Sequence, residues 1–403
     1  MKKGENMAGS DYSVPGFRAA AAEAGLKKHG GLDLGLIVSE GPARAAGVFT
    51  TNRVRAAPVI LSQEHIVGGE ARAVVANAGC ANACTGAPGL DDARRTAEAV
   101  GGALGARPEE VLVASTGVIG ARLDVDRIGR ALSGLVADLS EEGLPRVAEA
   151  VMTTDSFPKL SRFDGSAGGR AYRIVGIAKG AGMIMPDMAT MLSFVLTDAE
   201  ISSLDLKKSV IRAADATFNR ITVDGDTSTN DTVFALAGGK AGTGELAGED
   251  LAGFREGLCR VMEELAVMIV RDGEGATRVV HVLVRGARTA EEASRAARTV
   301  ANSNLVKTAV CGRDPNWGRI MAAVGRSGVS MEEETVDILI NEVEIVKGGL
   351  GRGGEAEKAA AAIMAEEETI HLTVNLHQGA HEDRVTTCDL TQEYVSINAD
   401  YRT

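Results

Sequence analysis

The chain has 403 residues, 45% of them hydrophobic and 24% charged, with a formal net charge of -12. This is the composition of a globular protein long enough for two or three domains. The acidic balance argues against a nucleic-acid or anionic-lipid surface, and no run approaches the ~18 consecutive apolar residues of a membrane span.

Aromatic residues are 3% of the chain against 49 glycines, so the core has to be built from Ala, Val, Leu, Ile and Met. In chain order, the apolar run Ala73–Ala76 leads into Asn77–Gly86, a stretch of amides and small residues that reads as a turn cluster or as the lining of a polar pocket. Leu90-Asp91-Asp92 opens an Ala-rich helix to about Val100. Val111–Ala114 is a strand that runs into Ser115-Thr116-Gly117. Met191–Leu196 and Val279–Val284 are further short, apolar, β-branched strands. Thr289 and Glu292 have the spacing of a capping box. Behind them Ala293, Ala296, Ala297 and Val300 form one helical face. Val336/Ile338/Ile340 and Ile370/Leu372/Val374/Leu376 alternate as half-buried strands do. Lys347–Gly354 reads as a linker or surface loop. Helices and strands without a regular βαβ rhythm predict a layered α/β architecture with mixed sheets.

The six histidines form no Ser/His/Asp arrangement. Cys80 and Cys84 lack the second pair that a zinc site needs, and five cysteines without framework spacing read as reduced thiols. No apolar segment follows the N-terminal lysines, so a cytoplasmic protein is expected. Thr190 follows the Gly-rich stretch from Lys179 and Pro186-Asp187, and stands at the mouth of the strand that begins with Met191. The position suits a strand-start threonine packed by its methyl. It also suits a chain that cuts itself before Thr190 and uses the new terminus as nucleophile. An α-amino group with a pKa near ~8 could then serve as the base, without a histidine. Ser115-Thr116-Gly117 reads as a turn or as part of an oxyanion hole. Asp224–Asp231 lacks the terminal Glu of a twelve-residue calcium loop and reads as a hydrogen-bonded loop that supports a site, so no metal is expected. Gly242–Gly248 misses the dinucleotide fingerprint by one residue and reads as a turn. Glu274, between two glycines, reads as a solvated turn residue or as one exposed into a cleft.

Taken in order, several segments point to one family. They are Gly47–Asn52 with Ala56–Val59, Asn77–Gly86, Ala114–Gly120, Met152–Asp155, Lys179–Met183 and Met188–Leu192. Thr222–Thr232, Gly273–Thr277, Asp314–Arg319 and Tyr394–Thr403 complete the set. The chain resembles the ornithine acetyltransferases of arginine biosynthesis, also called bifunctional glutamate N-acetyltransferases, nearly end to end. It departs from the family pattern at Glu382–Thr387 and matches loosely at His29–Asp33.

The resemblance implies a DmpA/ornithine-acetyltransferase-like self-processing fold of the N-terminal-nucleophile kind. It implies cleavage between Ala189 and Thr190 into an α chain, 1–189, and a β chain, 190–403, with a smaller C-terminal α/β subdomain at about 285–403, assembled as α2β2. Thr190 would carry acetyl from N-acetylornithine to glutamate, with Thr116 and Gly117 as the oxyanion hole. Thr153, Lys179, Thr190, Glu274, Asn398 and Thr403 match the family's substrate contacts. No cofactor is implied; acetyl-CoA enters only as a candidate second donor, since the family has monofunctional and bifunctional forms. The competing enzyme class is a self-processing aminopeptidase or amidohydrolase that admits water to the acyl-enzyme.

Overall fold

The computed structural model describes residues 11–185 and 191–399, which form two compact units. The first holds residues up to Asn219 together with Asp226–Ile269. Its elements are β1 (Phe17–Ala22), β2 (Leu34–Phe49), α1 (Ala57–His65), β3 (Glu70–Cys80), α2 (Gly86–Leu104), β4 (Val111–Val118), α3 (Val125–Ala137) and α4 (Leu144–Ala150). They continue with β5 (Lys159–Ala167), β6 (Arg170–Lys179), β7 (Leu192–Thr197), α5 (Ser203–Ala216), β8 (Thr232–Ala237) and α6 (Gly248–Arg271), whose last two residues belong to the second unit.

One sheet runs β4-β3-β2-β8-β7-β6-β5, with β1 also on β2. The pairs β3–β4 and β7–β8 are parallel and the others antiparallel, so the sheet is mixed. The long strand β2 joins its halves: Leu34–Val38 pair with β3, and Arg44–Phe49 pair with β8. Alternate residues of β3 and β4 feed different cores. Val74, Ala76, Leu112 and Ala114 pack with α4, while Ala73, Val75, Val111 and Val113 pack with α1, α2 and α3. Burial on both faces is why these strands read as unbroken apolar runs. On β6, a Cβ at Gly176 would lie 2.7 Å from Leu265 and 2.8 Å from Val261, so the missing side chain is what lets α6 approach.

The second unit holds Arg220–Gly225 and the chain from Val270 onward. Its elements are β9 (Val279–Ala287), α7 (Ala290–Ala301), α8 (Asn304–Cys311), α9 (Trp317–Gly325), β10 (Asp337–Ile340) and β11 (Val343–Lys347). After them come β12 (Leu350–Gly351), α10 (Gly354–Glu366), β13 (Thr369–Asn375), β14 (His381–Cys388) and α11 (Gln392–Ala399). The strand order is β12-β11-β10-β13-β9-β14. Only β13–β9 is parallel, so this sheet is mixed too. The expected apolar faces meet here: Val280, Val282 and Val284 of β9 and Ile370, Leu372 and Val374 of β13 pack against Ala293, Ala296, Ala297 and Val300 of α7. Layered α/β architecture with mixed sheets is thus the observed fold.

Three local expectations change. The helix predicted from Leu90 begins at Gly86, about one turn earlier, because Thr85 closes a hydrogen-bonded loop onto Asn82 just before it. At α7 the Thr289 hydroxyl caps the Glu292 amide, but the Glu292 carboxylate accepts from the Ser330 amide instead of returning to the cap. The Lys347–Gly354 stretch is a tight hairpin between β11 and β12 followed by the start of α10, not a linker. Gly348 and Gly349 take φ of 55° and 75°, the left-handed pair that a two-residue hairpin favours. Among the described residues, no helix is long and apolar enough to cross a membrane.

Candidate active site

The site-bearing residues of the first unit stand where strands end. Thr116 and Gly117 belong to β4 and pair with Ala78 and Gly79 of β3, so Ser115-Thr116-Gly117 continues the strand instead of turning away from it. At Gly117, φ is 131° and a Cβ would sit 2.4 Å from the Gly79 carbonyl carbon, so only glycine fits there. Lys179 ends β6 and pairs with Leu192, the first residue of β7.

Hydrogen bonds join these ends. The Lys179 ammonium, 3% exposed, donates to the hydroxyls of Thr153 at 2.9 Å and Thr116 at 3.3 Å. Asp155 lies beneath. Its Oδ1 accepts from Lys159 Nζ at 2.7 Å and from the Gly180 amide at 2.6 Å. Its Oδ2 accepts from the Thr153 amide at 3.0 Å and lies 4.0 Å from Lys179 Nζ. Lys159 is fully buried. Burial alone would raise the Asp155 pKa. The charges of Lys159 and Lys179, the Lys159 hydrogen bond and the Thr153 amide outweigh it and hold the carboxyl below the ordinary range.

Within the Asp224–Asp231 loop, residues 228–231 belong to the first unit and are hydrogen-bonded to its strand ends. Asn230 donates to the carbonyls of Ala81 at 2.7 Å and Ser115 at 2.8 Å, tying the ends of β3 and β4 together. Thr50 donates its hydroxyl to the Ser228 carbonyl and its amide to the Asp231 carbonyl. Asp231 Oδ1 accepts from the Met191 amide at 3.0 Å, one residue past Thr190. Asp231 Oδ2 is buried and has no hydrogen-bond partner among the described residues. Burial pushes this carboxyl well above the ordinary range, against the pull of the Met191 amide, Lys179 and Ser228. A group with a raised folded pKa contributes stability below its unfolded value, ~4, and loses it as the pH rises toward the folded value. Asp231→Asn is therefore expected to gain thermal stability relative to the parent as pH rises above about 4. Parallel melting curves against pH would show instead that the buried carboxyl ionises normally.

The Asn77–Gly86 amides are largely used internally. Asn77 binds the Cys80 carbonyl and the Ser115 hydroxyl, and Asn82 binds the Gly89 carbonyl and Thr85. The stretch is a turn cluster, with Asn82 and Cys84 at φ of 47° and 58°. In the second unit, Glu274 is buried and not the solvated turn residue one reading expected. Asn398 of α11 donates to its Oε2 at 2.6 Å, and the Thr391 hydroxyl binds the Gly275 carbonyl, seating the last helix on the Gly273–Gly275 turn.

Among the expected site residues, Thr116, Thr153 and Lys179 therefore come together in one unit, and Glu274 and Asn398 in the other. Ala189, Thr190 and Thr403 lie outside the described residues. Asp155, Lys159 and Asp231 had no role assigned from sequence. The segments Met152–Asp155 and Thr222–Thr232 pointed to two of them, whereas a lysine opening a strand gives no sign that it will be buried.

A family model described as the ArgJ family matches residues 18–403. The arginine biosynthesis bifunctional protein ArgJ of Geobacter sulfurreducens is 52% identical over 393 residues, 97% of this chain and 100% of that protein. The protein of the same name from Desulfotalea psychrophila is 48% identical over 394 residues, 96% of this chain and 99% of that protein. The crystal structure of arginine biosynthesis bifunctional protein ArgJ from Bacillus halodurans is 45% identical with a TM-score of 0.50, covering 52% of this chain and 99% of the solved chain.

Proposed function

Because the chain belongs to the ArgJ family and is an acyltransferase of arginine biosynthesis, we propose that it moves acetyl from N-acetylornithine to glutamate through an ester on Thr190. The observation that carries this reading is the Lys179–Thr153–Thr116 cluster at the strand pair Lys179–Leu192, two positions past Thr190.

The chain first cuts itself. The Thr190 hydroxyl adds to the Ala189 carbonyl, the Ala189–Thr190 C–N bond breaks as its nitrogen takes the hydroxyl proton, and water hydrolyses the resulting ester. This frees residues 1–189 and leaves Thr190 with an α-amine beside its hydroxyl. The solved relative's chain corresponds to about half of this one, as a family of cleaved precursors would yield. In turnover the α-amine takes the hydroxyl proton as Oγ1 attacks the acetyl carbonyl. The oxyanion is held by the Thr116 hydroxyl and the Gly117 amide. The amine returns the proton to the departing nitrogen of ornithine, and glutamate then enters and reverses the steps. Lys179 suits a substrate carboxylate, and Glu274, with Asn398 on its Oε2, suits a substrate ammonium. Thr153 and Thr403 complete the contacts. We further propose that acetyl-CoA serves as a second acetyl donor, that the enzyme is cytoplasmic, that it uses no cofactor or metal, and that it assembles as α2β2.

The test is purified enzyme given N-acetylornithine with and without glutamate. Ornithine release that depends on glutamate supports transfer, and equal release without it would establish an amidohydrolase. Terminal sequencing of the same material should read Thr-Met-Leu-Ser from the shorter-numbered end of the β chain; its absence would remove the nucleophile.

A further inference from the structure

Lys179 touches two hydroxyls at once. An ammonium has three N–H donors and no lone pair. In both contacts, then, the threonine oxygen must accept. The Thr116 hydroxyl hydrogen is thereby turned off the Lys179 line, at 3.3 Å, and Oγ1 becomes a donor toward some other group. Without the ammonium that hydroxyl rotates freely and can present a lone pair to whatever lies opposite. A hydroxyl that is to stabilise an oxyanion has to present its proton.

Lys179 is held in turn by the Asp155 carboxylate, 4.0 Å from its ammonium. Asp155 binds the amide immediately after Lys179, at Gly180, and the amide of Thr153, whose hydroxyl is the other acceptor of Lys179. Lys159 satisfies the remaining direction at 2.7 Å from inside the protein. The Asp155 carboxylate stands between two ammonium groups and is fixed in place by backbone bonds on both sides. Such a pre-set arrangement needs no reorganisation when negative charge develops.

We propose that Asp155 is a positioning residue for acyl transfer: by fixing Lys179 it orients the Thr116 hydroxyl as an oxyanion donor. The inference rests on the oxyanion role proposed for Thr116 and adds to it the group that sets its direction.

The simple Asp155→Asn change strands Lys159 and endangers the fold, so the test uses Asp155→Asn/Lys159→Met, which removes both partners with little change of volume. Three enzymes are compared with the parent in transfer from N-acetylornithine to glutamate: Thr116→Val, the double variant, and all three changes together. Thr116→Val is expected to lower kcat on the order of 10²-fold. The double variant is expected to lower kcat about tenfold with KM changed no more than about threefold. The triple variant should fall no more than about twofold below Thr116→Val alone, because groups that act through one another are not additive. Losses that multiply in the triple variant, or an unchanged kcat in the double variant, overturn the role of Asp155 and leave the oxyanion reading intact. An undiminished kcat in Thr116→Val overturns the oxyanion reading, and this inference with it. Where a variant cleaves slowly, the half-time of self-cleavage is compared by the same criterion.

Discussion

Thr190→Ala is expected to run as a single chain of 403 residues on a denaturing gel and to lose acetyl transfer by at least about 10⁴-fold. The size of the loss follows from how much one atom does in the proposed cycle. Oγ1 cuts the chain, accepts the acetyl group and returns it. The amine that takes its proton exists only after the cut. Removing the hydroxyl deletes the nucleophile and the base together, so nothing remains except oxyanion and binding effects. The neighbouring frame should survive. Met191 keeps its amide bond to Asp231, Leu192 keeps its pairing with Lys179, and neither involves the Thr190 side chain. Intact mass and melting temperature check the fold, and an ornithine-release assay checks the chemistry. A Thr190→Ala protein that appears as two fragments, or that still transfers acetyl, would place the nucleophile elsewhere.

Asp155→Ala should be the most damaging single change to stability among these residues, by roughly 3–5 kcal/mol. Lys159 is fully buried and its ammonium bonds Asp155 at 2.7 Å. Deleting the carboxylate strands that charge inside the protein, and it also leaves the Thr153 and Gly180 amides without their acceptor. A fall in Tm on the order of 10 °C is expected. The pH dependence has a definite sign. The Asp155 pKa is depressed in the fold, because the two lysines outweigh the burial that would raise it. Its contribution is therefore complete above the unfolded carboxylate value of ~4 and is lost only as the pH falls toward the lower folded value. The gap between parent and Asp155→Ala should narrow in acid and stay constant from about pH 6 to 8. Asp155→Asn/Lys159→Met should recover the part of the loss that comes from stranding Lys159, since replacing both members of a buried pair is often near neutral, while the part that comes from Lys179 remains. If the single and double variants melt alike, the buried pair is not what matters at this position.

Much of this protein was legible before its fold was known, for local reasons. A capping threonine at 289 with a small-residue face behind it favours a helix once that face is packed, and alternation at 336–340 and 370–376 favours half-buried strands. The order of the short motifs was enough to reach the family by resemblance. Thr116, Thr153 and Lys179 were carried over from it, and the structure puts both threonine hydroxyls on the Lys179 ammonium.

What the chain order alone determined is a subset of the elements, such as the strands at Val111–Ala114 and Val279–Val284 and the helix behind Thr289, and which hydroxyls and cations are available; those depend on neighbours a few residues away. Charge state and direction were decided only in three dimensions. Lys159 opens a strand and would read as solvated, yet it is fully buried with its ammonium on Asp155. Asp155 and Asp231 are the same residue type, and the fold drives them apart: two buried ammonium groups keep the first ionised, and burial with one oxygen unpartnered among the described residues favours the proton on the second. The energy of a buried charge depends on the atoms that surround it in space, and local sequence does not hold them.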